Sequence, residues 1–201
     1  MGLGLRNRFK KNGFIEDLNR AIEASSQAVE STLLNDPNRT KYLINLEIAL
    51  RDRIETTQSI EELDCAIGMH KKVVKLMPTD HCDREMYLNN LQIALQNRFG
   101  RSGSMEDLNR AIEASNQVVK STPMEHPDYA MYLNNLGAAL LGRFERIGSL
   151  EDLSHAIEII EQAMKSTSIG HLHRAAMLNN LGNALHRRFE EQDQKGTSIM
   201  L

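Results

Sequence analysis

Tyr132-Leu133-Asn134-Asn135-Leu136-Gly137-Ala138-Ala139-Leu140-Leu141, running on to Arg143-Phe144-Glu145-Arg146, is the stretch that decides the fold. At about 100° per residue, Leu133, Leu136 and Leu140 form one stripe, Met131, Asn134, Ala138 and Leu141 a second, and Tyr132, Asn135 and Ala139 a third. A helix apolar on nearly every side needs neighbours on several sides. His126-Pro127-Asp128 precedes it and Gly148 follows it, so the spacing predicts one helix, helix A, between them. Downstream, Ser149-Leu150-Glu151-Asp152 sets a capping hydroxyl before two carboxylates suited to the positive end of a second helix, B. Ser104-Met105-Glu106-Asp107 does the same upstream, and Ser59-Ile60-Glu61-Glu62 is a full capping box. After Ser104, Leu108, Ala111, Ile112, Ser115, Val118 and Val119 recur at helical spacing until Pro123, and Pro78 stops the copy one period earlier.

The opening phrase occurs at Tyr42, Tyr87, Tyr132 and Met177, each 45 positions after the last (87 − 42 = 45), and Ala21, Ala66, Ala111 and Ala156 keep the same step. A fixed period in this range means stacked copies of one supersecondary unit that share a continuous core. The predicted fold is therefore all-α, an α-solenoid built as a right-handed superhelix of antiparallel helix pairs. The expected organisation is a single solenoid over 1–201: a partial first unit at 1–33, full units at 34–78, 79–123 and 124–168, a lone final helix A at 169–191, and a frayed tail at 192–201. Subtracting 180 from Leu181-Gly182 lands on Met1-Gly2, so the array opens partway through a helix A. Solenoids normally finish with a polar capping helix. Uncapped ends read as a fragment of a longer array, or alternatively as surfaces for end-to-end self-association.

Composition narrows the function classes. With 41% hydrophobic and 25% charged residues the chain is globular, and with 4% aromatics and no Trp its core rests on Leu, Ile, Val, Ala and Met. A net charge of −3 supplies no basic field, which argues against a nucleic-acid partner. No stretch approaches the roughly 18 apolar residues of a membrane span, and Arg6 and Arg8 follow Met1-Gly2-Leu3-Gly4-Leu5 without the order of a signal peptide. The expectation is a cytoplasmic protein with no membrane partner, in which Cys65 and Cys82 stay reduced.

The pattern Leu133, Leu136-Gly137, Leu140, Ala156 and Ala163, with Ala111 and Pro123 one unit earlier, resembles the tetratricopeptide repeat, a helix pair of about 34 residues. The surplus falls between Gly137 and Ala156 and in the link after Pro123, so the units look like a long-helix variety, with the extra residues assigned to a longer turn region between A and B and a longer link. His126-Pro127-Asp128, Ala130 and Leu133-Asn134-Asn135-Leu136 are similar to kinesin-light-chain repeats. With Arg143-Phe144-Glu145-Arg146 and Gly148-Ser149-Leu150-Glu151-Asp152-Leu153, the phrase resembles fungal arrays often joined to caspase-like CHAT domains or nucleotide-binding receptors. That resemblance implies a non-catalytic scaffold binding a protein or peptide along a concave groove of A helices. The alternatives are a sensor or regulatory segment of a larger CHAT or receptor protein, and a self-associating structural array.

In such a groove the second stripe of helix A faces the partner. Ile44, Ile48, Met86, Asn89, Ile93, Met131, Asn134, Leu141 and Asn179 are its candidate contact residues. An amide both donates and accepts, so Asn89, Asn134 and Asn179 would form a ladder for the backbone of an extended peptide, and the apolar members would take its side chains. The competing reading is that these amides bond between helices, the reading preferred for Asn90, Asn135 and Asn180, which point toward the neighbouring A helix. His81, His126 and His171 recur at the period but lie in separate units, and His171 with His173 lacks further ligands, so no metal is expected. Cys65 replaces Arg20, Arg110 and His155 of the other copies and Cys82 a loop proline, which gives neither a nucleophile's surroundings. No glycine-rich phosphate loop is present, so neither catalysis nor a cofactor is expected. Glu47 and Gln92 stand where later units have Gly137 and Gly182, predicting looser crossings there, and Phe14 stands in a capping serine's place.

Overall fold

Leu133, Leu136 and Leu140 are almost fully removed from solvent, the outcome expected for a helix with partners on several sides, and each such burial stabilises by about 1.5–3 kcal/mol. The computed structural model describes residues 2–33, 36, 38–57, 59–77, 81, 83–168 and 172–199. Pro78, Cys82 and His171 lie outside the described residues, as does the side chain of Glu62. Among the described residues there are nine helices and no strand: α1 (Gly2–Asn12), α2 (Ile15–Glu30), α3 (Arg39–Thr57), α4 (Ile60–Leu76), α5 (Arg84–Ser102), α6 (Met105–Ser121), α7 (Tyr129–Ile147), α8 (Leu150–Lys165) and α9 (Arg174–Ile199). The odd-numbered helices are the A helices and the even-numbered the B helices, and the all-α solenoid pairing read from the period is the one found.

The chain folds as two compact units, Met1–Gly103 and Ser104–Leu201. In the first, α1 to α5 each pack on the next, and α1 also meets α3. Its core gathers Leu18, Ile22 and Val29 of α2, Leu43, Leu46 and Leu50 of α3, Val73 of α4 and Tyr87 of α5, with Leu5 and Phe9 of α1 packed against it. In the second, α6 to α9 pack in the same succession, and α7 also meets α9. Phe144 of α7, Leu153 and Ile157 of α8 and Ala184 of α9 close one end of that core, with Leu141, Leu181 and Leu185 against them.

The surplus length of the repeat sits in the helices, which corrects the longer turn expected between A and B. Helix α7 has 19 residues and α8 has 16, and only Gly148 and Ser149 separate them. Gly148 adopts φ 66, the left-handed conformation that ends a helix cheaply only at glycine, and its N–H bonds the Phe144 carbonyl. Ser149 then caps α8 at once, its Oγ accepting from the Asp152 N–H at 3.2 Å. Gly103 and Ser104 repeat the arrangement, Ser104 Oγ accepting from the Asp107 N–H at 3.3 Å. Phe14 makes no side-chain cap on α2. Helix α9 continues through Ile199, past the expected end at Glu191, because Gln192-Asp193-Gln194-Lys195 contains no proline to stop it.

Gly137 marks the closest crossing. A β-carbon there would lie 2.5 Å from Ile160 Cγ1, so α7 and α8 approach to a distance that only glycine permits. In α3 the equivalent position carries buried Glu47, and α3 and α4 meet over a shorter stretch than α7 and α8, as the loss of the glycine predicts.

Candidate protein-docking surface

Two sets of arginines hold the A helices in place. The Arg39 guanidinium donates to the Val29 carbonyl at 2.8 Å and also to that of Thr32. Arg84 donates to Val74 and Met77 at 2.7 and 3.2 Å, and Arg174 to Met164 and Thr167, both at 3.0 Å. In each case the acceptors lie ten and seven residues back, at the C-terminus of the preceding B helix, where carbonyls have no intrahelical partner and the dipole favours a cation. Sequence reading passed over these residues. Their recurrence at 39, 84 and 174 was a visible signal, but backbone acceptors leave no trace in side-chain pattern. Tyr129 takes the place in the fourth unit and is buried.

The second set joins the end of A to the start of B. Arg143 forms a two-point pair with Asp152, Nε to Oδ2 at 2.7 Å and Nη2 to Oδ1 at 2.6 Å, and Nη1 reaches Asn109 Oδ1 of α6 at 3.2 Å. The hydrogen bonds from Arg143 hold the Asp152 carboxyl below its ordinary pKa, opposed by burial. Arg8 pairs with Asp17 in the same register and lowers it likewise. The carboxylates read as helix caps thus also anchor the turn.

Between these anchors lies the second stripe of helix A, and its members differ in exposure. On α3 and α5, Ile44 and Ile93 remain 37% and 40% exposed, while Ile48 and Met86 are half-buried. On α7, Met131 and Leu141 are half-buried, Leu141 against the Phe144 cluster. The three amides are not equivalent: Asn89 and Asn134 are buried, and Asn179 is exposed. Asn134 Oδ1 accepts from Asn180 Nδ2 at 3.1 Å, so α9 covers one amide of the supposed ladder. Asn90 Nδ2 donates to Glu47 Oε1 at 3.1 Å. Asn90 and Asn180 therefore link successive A helices, as their rotation toward a neighbouring A helix implied. Desolvation raises the Glu47 pKa, which Arg51 opposes.

His81 and His126 serve helix starts. His81 Nδ1 accepts from the Asp83 N–H at 3.2 Å and His126 Nδ1 from the Asp128 N–H at 3.1 Å, and the His126 ring stacks on Tyr132 with centroids 6.1 Å apart. Among the described residues no group of three His, Cys, Asp or Glu side chains is placed to hold a metal ion, and no helix is long and apolar enough to cross a membrane. One cleft is lined by Asn109, Asn116, Arg143 and His155. Its cation is already committed to Asp152 and Asn109, which leaves an incoming anion a poor partner.

Residues 130–170, spanning most of α7 and all of α8, match the tetratricopeptide repeat family model. A solved structure of nearly identical TPR-like repeats from Podosopora anserina, named after kinesin light chain, covers 97% of this chain and 89% of its own, with TM-score 0.63 and 20% identity. A variant of the same protein covers 99% and 90%, also with TM-score 0.63 and 20% identity. No curated protein matches the sequence. The tetratricopeptide resemblance read from the residues is borne out, and the likeness to the solved structures is one of fold.

Proposed function

We propose that the chain is a protein-interaction scaffold whose A-helix stripe docks the apolar side chains of a peptide or protein partner, without catalysis and in the cytosol. The observation that carries this reading is the partial exposure of Ile44 and Ile93 on a stripe whose flanking apolar residues, Leu43, Leu46, Leu91 and Ala94, are buried. Branched apolar side chains at helical spacing, beside adaptable Met86, suit an amphipathic segment laid against the helices. Stacked helices are ordered before binding, so little further entropy is lost on capture. Buried Asn89 and Asn134 shift the emphasis from the amide ladder to the apolar members, with exposed Asn179 the amide open to a partner backbone. A free, exposed Cys65 thiol supports the reducing compartment.

Peptides selected against the chain from a random display library test the proposal. Changing Ile44 and Ile93 together to Asp should weaken the selected peptides at least about tenfold, the scale of losing two apolar anchors, while circular dichroism stays unchanged. Undiminished affinity in the folded double variant would remove the stripe as the docking face.

A further inference from the structure

Helices α6 and α8 flank a cleft with buried Ile112 and Leu140 at its base, and the A-helix stripe makes no use of it. Its volume is about 510 Å3, within the roughly 300–1,000 Å3 of ligand-binding clefts, and it lies inside the unit Ser104–Leu201. Met105, Asn109, Ile112 and Asn116 line it at i, i+4, i+7 and i+11 of α6, one face of the helix about 16 Å long. That length matches about five residues of extended chain, so the cleft suits a stretch of polypeptide better than a lone ion.

The charges in the lining are unequally committed. Arg143 spends its guanidinium on both oxygens of Asp152 and on Asn109. Glu151 has no salt-bridge partner among the described residues, so the charge left open in the cleft is a carboxylate. Half-buried Asn116 makes no side-chain hydrogen bond to another described residue, and His155 is exposed. Half-buried Met105 and exposed Ile147 add apolar surface. Residues 104–168 carry ten Asp and Glu against five Lys and Arg, a net charge of −5 where the whole chain carries −3. The positive dipole ends of α6 and α8 disfavour a cation at Met105 and Leu150, yet Arg143 is held against Asp152 of the first turn, so a guanidinium is accepted where a carboxylate meets it.

We infer that this cleft takes a basic segment of a partner protein, with a lysine or arginine side chain laying its methylenes along Met105 and Ile147 and its charged head against Glu151. An aliphatic stem with a cationic tip meets both parts of such a lining. Asn116 supplies a neutral acceptor for the remaining donors of that head. None of these residues belongs to the Ile44 and Ile93 stripe, so either proposal can fail alone.

Fluorescence anisotropy of a labelled hexa-arginine peptide, titrated with the whole chain, tests the inference, with hexa-glutamate as the opposite-charge probe. Glu151→Gln should weaken hexa-arginine at least about fivefold, the upper range for a partly exposed ion pair, while Glu161→Gln, an equal loss of charge outside the lining, should change it by less than about twofold. His155→Lys should weaken it comparably by setting a cation in the cleft. Arg20 and Arg110 hold that register on α2 and α6, so helix content by circular dichroism should stay intact. No binding of hexa-arginine, equal losses in Glu151→Gln and Glu161→Gln, or hexa-glutamate bound as tightly would overturn the inference.

Discussion

Gly137 and Gly182 occupy one register position and have opposite surroundings. Gly137→Ala drives a methyl against buried Ile160 and should lower unfolding free energy by about 1–3 kcal/mol, the usual cost of overpacking. Gly182→Ala meets nothing and should raise it by up to about 1 kcal/mol through helix propensity; urea unfolding of both variants reads the contrast. His70 is the other residue with a measurable signature. Burial pushes its pKa down to about 4, below the ordinary 6.5, so between those values the unfolded chain binds more protons than the folded one. Its stabilising contribution is complete above pH 6.5 and is lost as pH falls toward 4. Wild type should therefore lose about 2 kcal/mol more than His70→Gln between pH 7 and pH 5, measured by chemical denaturation at each pH. Buried Glu47, whose pKa is raised, works in the opposite direction in both chains and cancels in the comparison.

At the scale of helices, the residues that a pattern shows and those it hides separate cleanly. Helix α7 was legible because three apolar stripes, Gly148 and the capping Ser149 all concern side chains or a backbone conformation reserved for glycine. The site of the surplus residues was not, since a two-residue turn and a longer one leave the same period and only the capping geometry distinguishes them. Exposure along the proposed docking stripe was equally hidden: that Asn134 lies under Asn180 depends on how far α9 slides along α7. The arginine anchors act on carbonyls, and Arg174→Ala should accordingly cost about 1.5–3 kcal/mol, the range for hydrogen bonds to a charged group. Arg174→Lys should recover only part of it, because Nη1, which makes both bonds, lies one bond further along the side chain than a lysine ammonium; thermal unfolding of the two variants checks the order.

For the molecule as a whole, the proposed docking rests on what the repeated helix pair leaves uncovered. On α3 and α5 the second stripe keeps the branched apolar side chains Ile44 and Ile93 within reach of solvent. Isoleucine is the natural reporter, since Ile44, Ile48 and Ile93 lie on the stripe while Ile22, Ile67, Ile112, Ile157 and Ile160 are buried in the core. The most direct measurement is a methyl NMR titration of isoleucine-labelled chain with a library-selected peptide. The account predicts shifts concentrated at Ile44, Ile48 and Ile93 with the buried isoleucine methyls unmoved. Saturable binding that leaves those three signals in place would contradict it.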